Sequence, residues 1–136
     1  MAYLSLGALV RAGLTVKSPP HIMPDHTGDM GGTLRLGAYP CVIAPNTRAA
    51  QIYGTDKISE RHRHRYEMDI SFEKQFADAG MIISGRSPDG RLPEIVELPN
   101  HPFFVAGQFH PEFQSSPFTG HPMFNAFIAA AVKHKK

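Results

Sequence analysis

His110 and Glu112 stand two residues apart where an apolar run ends, in the string Phe103-Phe104-Val105-Ala106-Gly107-Gln108-Phe109-His110-Pro111-Glu112-Phe113. An imidazole beside a carboxylate is the pairing that general acid–base chemistry uses: the ring moves a proton while the carboxylate orients it and supports its cation. On an extended segment, residues i and i+2 point to one face, so His110 and Glu112 are expected to meet the same partner. Pro111 fixes its own φ and biases His110 away from helical geometry, which ends regular strand pairing at that point. A strand end with a polar exit has the same spacing.

A second constellation is Glu60-Arg61-His62-Arg63-His64-Arg65-Tyr66-Glu67. If it is extended, Arg61, Arg63 and Arg65 line one face and His62, His64 and Tyr66 the other. Guanidinium groups grip planar carboxylates in bidentate fashion, so a substrate carboxylate is a sensible target for one of them. The alternative is a surface strand whose arginines pair with Glu60, Glu67 and other acidic groups. A zinc site on His62 and His64, or on the scattered His21, His26, His101, His121 and His134, finds no support in C-x-x-C or H-E-x-x-H spacing, and no metal is expected. Cys41 is the one thiol, set in Tyr39-Pro40-Cys41-Val42-Ile43. A nucleophile at a strained elbow needs small neighbours, so this cysteine is expected in the core of a strand.

The elements that must position these groups are readable in outline. Residues 15–32, rich in Pro, His, Asp and Gly, read as a loop. Two short strands are predicted over 34–37 and 41–44, then a helical turn over 47–53 and a helix over 71–79 with Gly80 as its stop. Residues 81–85 and 94–98, joined through Ser87-Pro88-Asp89-Gly90, form a hairpin signal. Residues 103–109 read as a strand. Pro122 can begin a terminal helix with Phe124, Phe127, Ile128, Ala131 and Val132 on one face and Lys133, Lys135 and Lys136 at its negative end.

With 136 residues, 42% hydrophobic and 19% charged, the chain is about one globular domain. A net charge of +2 argues against nucleic acid or an acidic membrane as a partner. A single cysteine excludes an internal disulfide framework and makes a reducing cytoplasm the expected setting. The apolar opening, residues 1–10, lacks a basic lead and is cut short by Arg11, so it does not read as a signal peptide, and no run nears the ~20 apolar residues of a membrane span.

Four motifs resemble CTP synthase, in order and with sensible spacing: Gly31-Gly32-Thr33-Leu34-Arg35-Leu36-Gly37, the run 60–67, residues 84–98 with their Pro-Asp-Gly-Arg turn, and Gln108-Phe109-His110-Pro111-Glu112-Phe113. They are similar to the C-terminal part of its glutamine amidotransferase domain, over roughly residues 17 to 133. The resemblance implies an α/β fold, an incomplete class I amidotransferase-like domain with a mixed or parallel sheet, flanking helices and a β-hairpin. It divides the chain into an unmatched segment 1–16 and the domain part 17–136. It implies glutamine hydrolysis by a Cys-His-Glu triad in which His110 is the base and acid and Glu112 orients it, with Arg65 and Tyr66 beside the glutamine. The implied partners are glutamine, a synthase domain that uses ATP and magnesium to aminate UTP to CTP, and further copies of the chain. No nucleic acid, membrane or cofactor is implied for these residues themselves.

The departures from that pattern matter equally. The family's glycine-flanked nucleophile elbow does not occur here, nor does the phosphate-binding loop of the synthase domain. The chain is therefore expected to be a fragment, inactive alone, with apolar faces left uncovered. A non-catalytic binding or interaction module on the same fold is the alternative. A small complete hydrolase using Cys41 is a third reading, and it requires the sulfur within hydrogen-bond reach of His110.

Overall fold

A computed structural model describes residues 35–64 and 68–135. Their first element is β1, Arg35–Ile43, one nine-residue strand where two short ones were expected. Ala38, Tyr39 and Pro40 bridge the expected gap by pairing with Arg61, Glu60 and Ser59 of β2, Lys57–His64. Proline lacks the N–H a central strand needs. It is accommodated because β1 meets its other neighbour, β3 (Ile82–Arg86), only at Val42 and Ile43.

Between β1 and β2 lies α1, Arg48–Tyr53, within the expected helical turn. Thr47 caps it by accepting from the Ala50 N–H, and the buried carboxylate of Glu97 accepts from the N–H groups of Arg48 and Ala49 at 2.9 and 3.0 Å. Helix-start donors have no partner within the helix, so a carboxylate aimed at two of them fixes where the turn begins. The expected helix over 71–79 divides into a 3-10 turn, Ile70–Phe72, and α2, Glu73–Asp78. Gly80 follows with φ +86°, the left-handed conformation expected of the stop residue.

The hairpin stands as read: β3 pairs antiparallel with β4, Pro93–Glu97. The predicted strand over 103–109 narrows to β5, Val105–Gly107, paired with β4. Pro102 delays its start, and after Gly107 the chain leaves for another strand. The sheet order is β2-β1-β3-β4-β5, and every ladder among the described residues is antiparallel. This corrects the expected mixed or parallel sheet. Parallel pairing needs a connection that runs back along the strand. At ~1.5 Å per residue a six-residue helix such as α1 covers about 9 Å, whereas nine strand residues span about 30 Å, so the chain re-enters from the end it left.

β4 is buried along its whole length and feeds two cores. Ile95 packs with Cys41, Ile43, Ala49, Phe109 and Met123, while Val96, on the opposite face, packs with Phe76, Met81 and Ala106. Gly85, at an irregularity of the β3–β4 register, lies under the first of these cores. A Cβ there would come within 2.8 Å of Ile95 Cγ1 and 2.9 Å of Cys41 Sγ. Gly85→Ala is expected to lower the unfolding free energy by about 1–3 kcal/mol through overpacking, read from the urea midpoint; an unchanged midpoint would contradict it.

The last helix, α3, is Pro122–His134. The apolar stripe that the periodicity predicts on this helix is left largely uncovered: Phe127, Ile128 and Val132 are exposed and, of this helix, only Met123 is buried. The periodicity places these residues together on the helix, and Phe103 meets the stripe at one point, its ring centroid 5.7 Å from that of Phe127. No helix among the described residues is long and apolar enough to cross a membrane.

Candidate active site

The two edges of the sheet come together at His110. Gln108 donates its N–H to the Glu94 carbonyl on β4 at 3.0 Å, and two residues later His110 donates its N–H to the Arg61 carbonyl on β2 at 2.8 Å. Phe109 between them is buried, its ring edge-on to His62. The sheet is thus curled far enough for a two-residue step to pass from β4 to the outer edge of β2, and that step delivers the His110 side chain to the seam.

Pro111 then starts a 3-10 turn, Pro111–Gln114, instead of continuing an extended chain. The expectation that His110 and Glu112 share one face of a strand is therefore corrected: they meet because the tight turn brings residue i+2 back toward the ring. His110 Nδ1 lies 2.7 Å from Glu112 Oε1, and their side chains are 13% and 32% exposed. They face each other, and both reach solvent. Burial pushes the Glu112 carboxyl up, but the hydrogen bonds from His110 and from its own N–H outweigh this and hold it below the usual carboxylate range. An ionised carboxylate only accepts, so Nδ1 carries a proton in this contact, and in the neutral ring the lone pair is then on Nε2. That is the tautomer a general base needs. Phe113 stacks at a tilt on the same imidazole, with centroids 5.4 Å apart.

β2 shows the expected alternation. Arg61 and Arg63 are exposed, while His62 is buried and His64 half-buried. Arg65 and Tyr66 lie outside the described residues, as do His21 and His26. Glu60 corrects the surface-strand alternative: it is buried and does not answer the arginines. Its Oε1 accepts from Tyr53 Oη at 2.9 Å and His121 Nε2 at 2.7 Å, and its Oε2 accepts from Gln114 Nε2 at 2.7 Å. His62 Nδ1 lies 2.8 Å from His64 Nε2, and Glu94, 3.6 Å from His62 Nε2, is itself bonded to Arg35 at 2.5 Å. His121 caps α3 through the Met123 N–H, whereas His101 and His134 are exposed in separate parts of the fold.

Cys41 occupies the strand core, as its neighbours implied. It is 1% exposed, its Sγ is directed to the Val42 carbonyl at 3.8 Å, and burial with the nearby Glu94 charge pushes the thiol up to about 12. A thiol in that state is not a nucleophile, and the Cys41 hydrolase reading fails. The polar network of Glu60, Tyr53, His121 and Gln114 was missed from the sequence. The alternation carried the signal, because Glu60 shares the parity of the buried His62.

A family model for class-I glutamine amidotransferases matches residues 2–130, and the chain belongs to that family. Within it, the likeness is to CTP synthases. The chain is 55% identical to the CTP synthase of Beijerinckia indica over 109 residues, 80% of this chain and 20% of the relative. It is 58% identical to that of Synechocystis over 107 residues, 79% of the chain and 19% of the relative. It thus spans about a fifth of the length of the curated relatives it matches. Among solved structures it resembles the Trypanosoma brucei CTPS glutaminase domain with bound acivicin, with a TM-score of 0.70, 36% identity, and coverage of 82% of this chain and 44% of that one. A GMP synthase component from Thermoplasma acidophilum, 19% identical with a TM-score of 0.54, covers 74% of this chain and 45% of that one and shares the fold.

Proposed function

We propose that this chain supplies the base and its orienting carboxylate to the glutamine-hydrolysing part of a CTP synthase, the ligase of pyrimidine biosynthesis that aminates UTP. The observation that carries the reading is the 2.7 Å contact between His110 and Glu112 at a solvent-reached seam. His110 takes the proton from a cysteine thiol as the sulfur attacks the amide carbon of glutamine. It returns that proton to the nitrogen as the C–N bond breaks and ammonia leaves, and then activates the water that cleaves the thioester to glutamate. Glu112 holds the tautomer and supports the imidazolium. Arg65 grips the α-carboxylate of glutamine, with Tyr66 beside it.

Cys41 is the single cysteine of the chain and sits in the strand core, so the attacking thiol comes from outside these 136 residues. So does the synthase domain with its ATP and magnesium, and neither takes part in the steps above. A cytoplasmic setting belongs to the same reading. The 17–136 portion is then the C-terminal part of the amidotransferase domain.

The test is a chimera in which residues 17–133 replace the matching segment of a CTP synthase. The isolated chain is expected to release no ammonia from glutamine, while the chimera makes CTP with glutamine as donor. In the chimera Arg65→Ala is expected to raise the KM for glutamine about 10- to 100-fold, the effect of losing one charge-assisted contact, and to leave ammonia-driven synthesis unchanged. A chimera that uses ammonia but not glutamine would overturn the proposal and favour a non-catalytic module.

A further inference from the structure

Glu60 gathers donors from three separate segments onto one buried carboxylate: Tyr53 at the end of α1, His121 at the start of α3, and Gln114 in the turn that carries Glu112. A buried carboxylate is costly unless its lone pairs are filled, and a fully satisfied network of this kind rigidifies what it joins. The Gln114 amide reaches two acceptors at once, Glu60 Oε2 at 2.7 Å and the Ser59 carbonyl at 2.9 Å. At its other end the same turn is held by the His110 N–H on the Arg61 carbonyl.

The turn is therefore pinned to β2 at both ends, against residues 59, 60 and 61, and the contact between His110 and Glu112 lies between the pins. A 3-10 turn has poor hydrogen-bond geometry of its own, so external pins decide where its side chains stand. We infer that Glu60 and Gln114 are positioning residues for the His110–Glu112 pair, fixing Glu112 against the imidazole without touching substrate. This rests on the proposed role of the pair as base and orienter.

Gln114 is an exposed side chain, so Gln114→Ala removes one pin and leaves the buried contacts of Glu60 with Tyr53 and His121 in place. The readout is the Glu112 carboxyl, followed by carbon NMR titration in the intact chain. In the native chain the contact with His110 is expected to hold the carboxyl below the usual range. In Gln114→Ala it is expected to rise toward the ordinary carboxylate value, and the His110 Nδ1–H resonance is expected to be lost to exchange. Glu60→Gln keeps one acceptor oxygen for Tyr53 and His121 but turns an NH2 toward the Gln114 amide, which cannot answer it without giving up the Ser59 carbonyl. It is expected to raise the Glu112 titration in the same direction. A Glu112 titration that stays at its native position in Gln114→Ala would overturn the inference, even if stability falls, since a merely structural contact would change stability alone. In the chimera, Gln114→Ala is expected to lower glutamine-driven kcat about 10- to 100-fold with KM for glutamine held. Failure of the functional reading is distinguishable from this, because it shows as a native chimera inactive with glutamine while the carboxyl titration still responds to Gln114→Ala.

Discussion

Replacing His110 by alanine in the chimera lowers glutamine-driven CTP synthesis about 10³-fold or more, and ammonia-driven synthesis stays at the native rate. The size follows from the two duties assigned to one ring, activating the thiol and protonating the departing nitrogen; removing a triad base forfeits both. Glu112→Gln is expected to lose about 10²-fold or more by a different route. A side-chain amide can turn its NH2 toward Nδ1, which forces the ring proton to Nε2 and removes the lone pair that takes the thiol proton. Both variants keep the backbone bond from the His110 N–H to the Arg61 carbonyl, so the turn stays docked on β2. The measurement is the ratio of glutamine-driven to ammonia-driven rates in each variant. A ratio within about tenfold of native for His110→Ala would remove His110 from the mechanism.

How much of this could be read in the residues depends on the range over which each signal acts. Local signals carried well. Gly80 stopped a helix where a left-handed residue was needed, Ser87 to Gly90 turned a hairpin, and alternation along β2 put His62 inward and Arg61 and Arg63 outward. The His110–Glu112 pairing was legible, but its geometry was not. Spacing of two is ambiguous between a shared strand face and a tight turn, and what decided it was Pro111 leading a turn docked on β2. Long-range facts were out of reach. Nothing near Gln114 in sequence says that its amide will meet Glu60, 54 positions away. Nor does the stripe of Phe127, Ile128 and Val132 say whether another element lies over it. Sheet direction failed for a related reason: it is set by whether a connection is long enough to run back along a strand, and the family's doubly wound pattern suggested crossovers that the six-residue helices here do not make.

Acidification is expected to start destabilising this chain before its carboxylates protonate, because of His62. Its side chain is fully buried against Tyr39, His64 and Phe109. Burial first, and then the neighbouring charges of His64, Arg35 and His110, lower its ionisation from the ordinary 6.5 to about 3. Glu94 stands 3.6 Å from Nε2 and would favour the cation, but its charge is already answered by Arg35 at 2.5 Å. The folded chain therefore holds this imidazole neutral, while the unfolded chain takes up a proton below about pH 6.5. The stability that depends on the neutral ring is complete above that value and is lost as pH falls toward 3. At about 1.4 kcal/mol per pH unit this amounts to roughly 3–5 kcal/mol over the whole window and about 2–3 kcal/mol by pH 4.5, a large share of a small domain's stability. Asp89 and Glu112, whose ionisation is also lowered, act in the same direction but only below the ordinary carboxylate range, so the two windows separate. Urea unfolding at a series of pH values measures the slope. The native chain should lose stability steadily from pH 6.5 to 4.5, and His62→Leu, though weaker at pH 7.5 for leaving His64 and Glu94 short of a partner, should show a markedly flatter slope. Equal slopes in the two chains would overturn this, since they would mean that His62 accepts its proton inside the fold.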